Sequence, residues 1–376
     1  MTTIPTRKKT AIGAALFAAA LSLPFSHSAF AEAAPEKSII AFKYLNYQDW
    51  QPDQDRVGVN AYSVSATVPI AGKWSITTGY VYDSVSGASP SYHSVIISGA
   101  STHDTRQAVD LGITRYFSKG SITAGVSYSE ESDYISRSIS LQGSLMTEDK
   151  NTTVTLGGSY TSDTINPNNE IVENEKKNTW AGLVGLTQVV SKNDIVQLNF
   201  GYSSGEGYYD DPYKWEDFRP RERNSTTFMT RWNHHFDGSD GTSRLSYRYY
   251  TDSFGIGSHT LALEYVQPVK GGWTFTPEAR YYSQTAADFY IPFDPLNPDF
   301  PVHPSLPFGS YDQRLSAFGA ITLGIKVEKE IAKDWLVDVK FNYYMQRADW
   351  CLTGGGDKGL EPFNFRSIQV GISKKF

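Results

Sequence analysis

Five carboxylates crowd one stretch of this 376-residue chain: Glu206, Asp210, Asp211, Glu216 and Asp217. Hard cations take several oxygen ligands, so such a stretch could hold calcium or magnesium. The spacing does not match an EF-hand loop, and the segment from Gly205 to Arg223 also carries Lys214, Arg219 and Arg221. An ordered loop laced by salt bridges is therefore favoured, and no metal is assigned. Hydrolytic chemistry would need a nucleophile or water beside a histidine and an orienting polar group. His93 or His103 with Asp104 is the loop pairing worth naming, and no nucleophile motif accompanies it. The single cysteine, Cys351, sits beside Trp350 and excludes an intrachain disulfide or a cysteine-based metal cluster. No catalytic residue and no cofactor is assigned.

A second set of charges recurs at alternate positions: Arg231, Arg244, Arg248, Glu264, Glu278, Arg280, Lys326, Glu328, Asp338 and Lys340. A period of two places them on one face of a series of strands. The other face is apolar. It carries Trp74, Ile76, Thr78, Tyr80 and Tyr82 in one strand, and Ile122, Ala124, Val126 and Tyr128 in another. Val196, Leu198, Phe200 and Tyr202 follow the same rule, as does the run from Leu315 through Ala317, Gly319, Ile321, Leu323 and Ile325 to Val327. The strand around 178–190 is apolar on both faces and leaves its orientation open. In the first half the polar face is made of small groups such as Ser63, Ser65 and Thr67, with Arg106 and Asp110 as exceptions.

Turn signals divide the chain into alternating short and long connections. The short ones lie at 71–73, 118–120, 147–150, 191–193, 237–241, 270–272 and 332–334, and carry the Gly, Asn, Asp and Lys of hairpin turns. The longer ones lie at roughly 48–56, 84–104, 130–133, 163–178, 204–223, 252–257, 284–312 and 348–363. They join about 16 antiparallel strands with both termini on the short-turn side. Trp74 and Tyr82 are eight residues apart, as are Trp273 and Tyr281, and Trp335 and Tyr343. Eight tilted strand residues rise about 20 Å, close to the separation of two aromatic girdles around an apolar band.

The ends of the chain agree. Arg7, Lys8 and Lys9 precede an apolar run to about Leu23, and Ala29-Phe30-Ala31 offers a small-x-small cleavage site. Residues 1–31 are thus expected to be a secretory signal peptide and 32–376 one barrel. Removing the three basic residues leaves 31 basic against 40 acidic, which argues against nucleic acid as a partner. The last strand places Ile368, Val370, Ile372 and Phe376 on one face. That ending resembles the signal read by the barrel-assembly machinery of bacterial outer membranes. A soluble sandwich would also alternate, but with its apolar face turned inward.

Asp83 to Pro90 resembles a family of bacterial exported proteins that carries a domain of unknown function. So do Glu131-Ser132-Asp133-Tyr134, Asp211-Pro212-Tyr213-Lys214, Arg219-Pro220-Arg221, Tyr247 to Asp252 and Gly255 to Thr260. Arg280 to Gln284, Ala286 to Tyr290 and Tyr311 to Ser316 match it as well. The resemblance implies a transmembrane up-and-down barrel in the outer membrane of a Gram-negative cell, with no established activity. It also implies a periplasmic redox partner, because such families are encoded near thioredoxin-like and flavin-attaching proteins. Outer-membrane lipid and lipopolysaccharide are the other expected partners.

A channel or pore is the leading expectation, capped by the long loop from about Gln284 to Asp312 with its many Pro and Phe residues. A non-conducting scaffold of a redox or export system is the alternative, and a hydrolase comes last. General porins constrict through a long third external loop. Here the third connection, around 130–133, is too short for that.

Topology is directly testable. In a chain with Cys351→Ser, Asn169→Cys should react with an impermeant thiol reagent on intact cells, and Lys73→Cys should not. Labelling at position 73 but not at 169 would invert the barrel.

Overall fold

In a computed structural model, residues 33–52, 54–87, 103–214, 217–292 and 307–376 are described. The signal-peptide reading for 1–31 lies outside them, as do His93, Glu216 and the loop centre from Phe293 to Leu306. Sixteen strands form one closed antiparallel barrel, each paired with its chain neighbours. They are β1 (Ile39–Gln51), β2 (Gln54–Ile70), β3 (Trp74–Gly87), β4 (His103–Phe117), β5 (Gly120–Glu130), β6 (Tyr134–Met146), β7 (Thr152–Ile165) and β8 (Glu175–Val189). Then come β9 (Asp194–Gly207), β10 (Glu222–Phe236), β11 (Gly241–Asp252), β12 (Gly257–Val269), β13 (Trp273–Gln284), β14 (Phe318–Ala332), β15 (Trp335–Arg347) and β16 (Phe363–Lys375). The ring closes where β1 meets β16, from Ile39 opposite Lys375 to Trp50 opposite Asn364.

The seven short turns fall where Gly, Asn, Asp and Lys cluster. Gly271 and Gly272 both have positive φ, 79° and 74°, the geometry of a tight hairpin whose twist matches its strands. Both ends of the described chain lie at this rim. Lys37 Nζ is 2.5 Å from Asp334, and the Phe376 N–H donates to Ser38 O at 2.9 Å.

The outer face is an apolar belt. Val64, Leu111, Ile139, Leu141, Leu156, Phe200, Leu263, Leu323 and Val370 are all exposed although large and hydrophobic. A soluble protein would bury them; a lipid-facing wall presents them. Register settles the strand left open by its sequence. Trp180, Val184 and Leu186 of β8 lie opposite Tyr160, Leu156 and Val154 of β7, and so share the lipid face.

Several expectations need correcting. No long connection exists at 48–56, because β1 runs to Gln51 and β2 resumes at Gln54. An apolar cluster of Leu45, Tyr47, Val57, Val59 and Ala61 holds these strands together, and Asp49 Oδ1 accepts the Val57 N–H at 2.9 Å. The connections expected at 163–178 and 204–223 shrink to 166–174 and 208–221, since neighbouring ladders extend their strands. Leu315 and Ala317 do not face lipid. Gln313–Leu315 is a short 3-10 turn, β14 starts at Phe318, and both residues are buried among external loops.

The two faces should respond oppositely to charge. Leu141→Arg, in the middle of the belt, should destabilise the refolded barrel by about 2–4 kcal/mol, and its lumen-facing neighbour Ser140→Arg by far less. Urea titration in lipid vesicles measures both; equal losses would contradict the assigned faces.

Candidate functional site

The external loops converge on the segment 208–221, between β9 and β10. Its own acids shape it. The Tyr213 N–H donates to Asp211 Oδ1 at 3.0 Å, the Asp211 N–H to Asp217 Oδ2 at 3.2 Å, and the Arg219 N–H to Asp210 Oδ1 at 2.7 Å. One end reaches the loop between β5 and β6, where the Tyr213 hydroxyl donates to Asp133 at 2.5 Å. It also meets the loop between β7 and β8: Asn168 N–H donates to the Tyr213 hydroxyl at 3.0 Å and Asn169 to Pro212 O at 2.6 Å. The other end meets the connection from β13 to β14. Arg219 is 2.8 Å from Asp312, Arg314 is 2.5 Å from Asp211, and Phe218 and Gly309 exchange backbone hydrogen bonds at 2.9 and 3.0 Å.

The ring order gives these contacts their meaning. The β5–β6 and β13–β14 connections are eight strands apart in a ring of sixteen, so they stand on opposite walls. Strands ~4.8 Å apart and tilted near 40° make a barrel roughly 30 Å across. Loops rising from the two opposite walls therefore meet on this segment over the mouth. An apolar cluster backs it: Phe254, Ile256, Ala287 and Leu315, with Tyr209 and Phe289 packed against them. The last external loop joins through the Tyr290 hydroxyl, which donates to Asp357 at 2.5 Å. The described part of the loop rich in Pro and Phe thus packs against the described residues of 208–221 over the mouth.

Charge decides how the crossing is locked. Asp211, Asp217 and Asp312 are buried with carboxylate oxygens within 4.8 Å of one another. Two acids from the expected cation loop are therefore brought together with a third that sequence reasoning missed. The cationic groups among them are protein side chains: Arg219 is 2.5 Å from Asp217, and Arg314 also pairs with Asp312. Burial works against the charge on Asp312, but Arg314, Lys214 and Arg219 outweigh it and hold its carboxyl well below the ordinary range. Burial also pushes Asp217 up, only partly countered by Arg219. Asp312 has a depressed folded pKa. The stability it lends is complete above the unfolded carboxylate value and fades only as pH falls through the depressed one. Asp217 has the opposite sign, so mild acid relieves a cost there.

The lumen-facing charges sort into two groups. Arg244 is 3.5 Å from Glu264, Lys340 2.9 Å from Glu278, Lys326 2.7 Å from Glu328, and Asp338 3.6 Å from Lys43. Among the described residues, Arg231, Arg248 and Arg280 appear in none of these pairs and in no side-chain hydrogen bond.

The three tryptophans open their strands at the short-turn rim, and Tyr82, Tyr281 and Tyr343 lie five, three and four residues before the other ends of β3, β13 and β15. Near the short turns, Arg115, Lys329 and Lys374 stand over Trp74, Trp273 and Trp335 at 4.7, 4.9 and 4.8 Å. At the other rim, Tyr82 lies opposite Tyr62, Tyr281 donates to Trp350 O at 2.5 Å, and Tyr343 packs on Trp50. Ile368, Val370 and Ile372 are exposed on the closing strand, and Lys374 covers Phe376 at 4.7 Å. His103 and Asp104 open β4. Cys351 is buried. Burial acts to raise its thiol pKa, but hydrogen bonds from Thr353, Ser283 and Gly355 bring it below the ordinary value.

A family model described as a protein of unknown function (DUF3570) matches residues 13–102 and 92–367. No curated protein matches the chain. Among solved structures, a bacterial polysaccharide outer membrane secretin aligns at 7% identity with a TM-score of 0.53, covering 90% of this chain and 98% of its own. OccAB1 of Acinetobacter baumannii aligns at 11% identity and TM-score 0.44, over 93% of this chain and 99% of its own. A deletion mutant of the TodX monoaromatic hydrocarbon channel gives 11% identity and 0.42, over 91% and 90%. The secretin shares the fold. With its closed wall and apolar belt, the chain is an outer-membrane β-barrel.

The lock should fail at Asp312. Asp312→Asn removes the carboxylate that both arginines share and should destabilise the crossing by about 3 kcal/mol. Trypsin should then cut after Lys214 and Arg221 while the barrel stays heat-modifiable. Wild type should resist at pH 5 as at pH 7. A variant as resistant as wild type would show that the lock does not hold the segment.

Proposed function

The chain belongs to the DUF3570 family of proteins of unknown function, and we propose that it is an outer-membrane channel whose mouth is crossed by the segment 208–221. The observation that carries this reading is that loops rising from two opposite walls meet on one segment, through Tyr213 with Asp133 and through Arg219 with Asp312 and Asp211 with Arg314. A segment held over a polar, charge-lined lumen would narrow the passage and add to the field through which a solute moves. The Ile368, Val370, Ile372 and Phe376 face serves as the segment read by the barrel-assembly machinery. The Trp74, Trp273, Trp335 rim and the Tyr82, Tyr281, Tyr343 rim sit at the two lipid interfaces, the outer one against lipopolysaccharide.

The depth of the lock favours a second reading. Three buried carboxylates held by two arginines would suit a mouth kept shut, and hence a scaffold for a periplasmic redox or export partner.

Planar-bilayer recording of refolded protein separates the two. Wild type should conduct in small steps, and Arg219→Ala with Arg314→Ala should raise single-channel conductance at least twofold. If both stay silent, the channel reading fails and the scaffold reading stands.

A further inference from the structure

Among the described residues, three lumen-facing arginines, Arg231, Arg248 and Arg280, form no ion pair, and two of them flank one residue. Arg248 of β11 lies opposite Thr260 of β12, which lies opposite Tyr282 of β13. Arg280 is two residues along β13 from Tyr282, on the same face, opposite Ala262. The arginines are therefore diagonal neighbours across β12, with only Thr260 and Ala262 between them. Two like charges are not placed side by side for stability.

The carboxylates on this wall are already engaged. Glu264 faces Arg244, and Glu278 faces Lys340. Thr260 adds an independent sign. It is only 9% exposed, it faces the lumen, and its hydroxyl has no hydrogen-bond partner among the described residues. Buried polar groups are nearly always satisfied, so such an orphan asks for a reason. Beside this point the wall turns aromatic. The Arg280 guanidinium lies 6.0 Å from the Tyr282 ring, and Tyr344 stacks on Phe365 at 4.6 Å and 12°. Tyr344 and Arg280 lie opposite the same residue, Thr322, on the two sides of β14.

We propose that Arg248, Arg280 and Thr260 form a binding notch for an organic carboxylate with a ring body, the carboxylate between the two guanidiniums and the ring along Tyr282 and Tyr344. Guanidinium groups meet carboxylates in a planar, two-point fork, and they do so best where water is scarce. Arg248 lies opposite Thr260 and Arg280 diagonal to it, and long arginine stems are flexible. An anion that draws both guanidiniums onto this position meets the orphan hydroxyl as a third donor. The wall then selects small ring-bearing acids over neutral or cationic solutes. The notch rests on the channel reading, since solute reaches it only through the lumen.

Calorimetric titration of refolded full-length barrel in micelles, with benzoate as probe, tests it without requiring conductance. Benzoate should bind and benzamide should not, and acetate should bind at least fivefold more weakly than benzoate. Arg248→Gln with Arg280→Gln should lower benzoate affinity at least tenfold, and Thr260→Val about threefold. Lys326→Gln, which removes a lumen cation already paired, should leave it unchanged. Heat-modifiable migration confirms that each variant is folded. If the double variant does not fold, Arg280→Lys keeps the charge, loses the fork, and should weaken binding about fivefold. Unchanged affinity in the arginine variants, or an equal loss in Lys326→Gln, overturns the notch. Conductance without benzoate binding leaves the channel and removes the notch. Binding without conductance leaves the notch and removes the channel.

Discussion

Every backbone N–H and C=O that crosses lipid must find its partner within the protein, because hydrocarbon offers none. A single open edge would leave a row of such groups unpaired. Here the pairing of β1 with β16 removes that edge, from Ile39 with Lys375 to Trp50 with Asn364. Once the ring is closed, each side chain has only two directions. The outward set must satisfy lipid and the inward set must satisfy water and its own neighbours. The apolar belt, the paired charges of the lumen and the convergence of the external loops all follow from that closure.

The inner wall is uneven, and the unevenness is electrostatic. Strands β5 and β6 present serines, a threonine, a glycine and a glutamine, whereas the inward charges are densest on β10 to β15, with Lys43, Asp83, Arg106, Asp110, Asp163 and Lys177 on other strands. Most of those are neutralised across a strand or along one, as Arg244 is by Glu264 and Lys326 by Glu328. Among the described residues Arg231, Arg248 and Arg280 form no ion pair, and so stand out against a wall on which most charges are paired. Between low-dielectric protein walls such charges act more strongly than they would in bulk water.

The cap depends on residues far apart in the chain. Tyr213 and Asp133 are 80 residues apart, and Arg314 and Asp211 are 103 apart. The segments that resemble the family of exported proteins meet there: Glu131 to Tyr134, Asp211 to Lys214, Arg219 to Arg221, Ala286 to Tyr290 and Tyr311 to Ser316. They read as scattered loop fragments in one dimension. In three dimensions they are the two anchors of one crossbar and the cluster that backs it, so their common signal was present in the sequence without its meaning.

Strand number, turn positions and the outward face of most strands were legible from the chain itself, because they rest on neighbours. A period of two, a Gly-Gly turn, or a Trp and Tyr eight residues apart are properties of a few consecutive residues. Where the local signal was balanced, as in β8, only pairing with β7 assigned the faces. Where it was strong but the chain had left the wall, as at Leu315, alternation misled. Which walls oppose one another depends on how many strands close the ring. That fact belongs to no segment, and it alone sets Tyr213 against Asp133 and Arg314 against Asp211. The acids of 208–217 were visible as a charged cluster; that arginines from two loops complete it, and thereby hold a segment across the mouth, was decided by the tertiary structure.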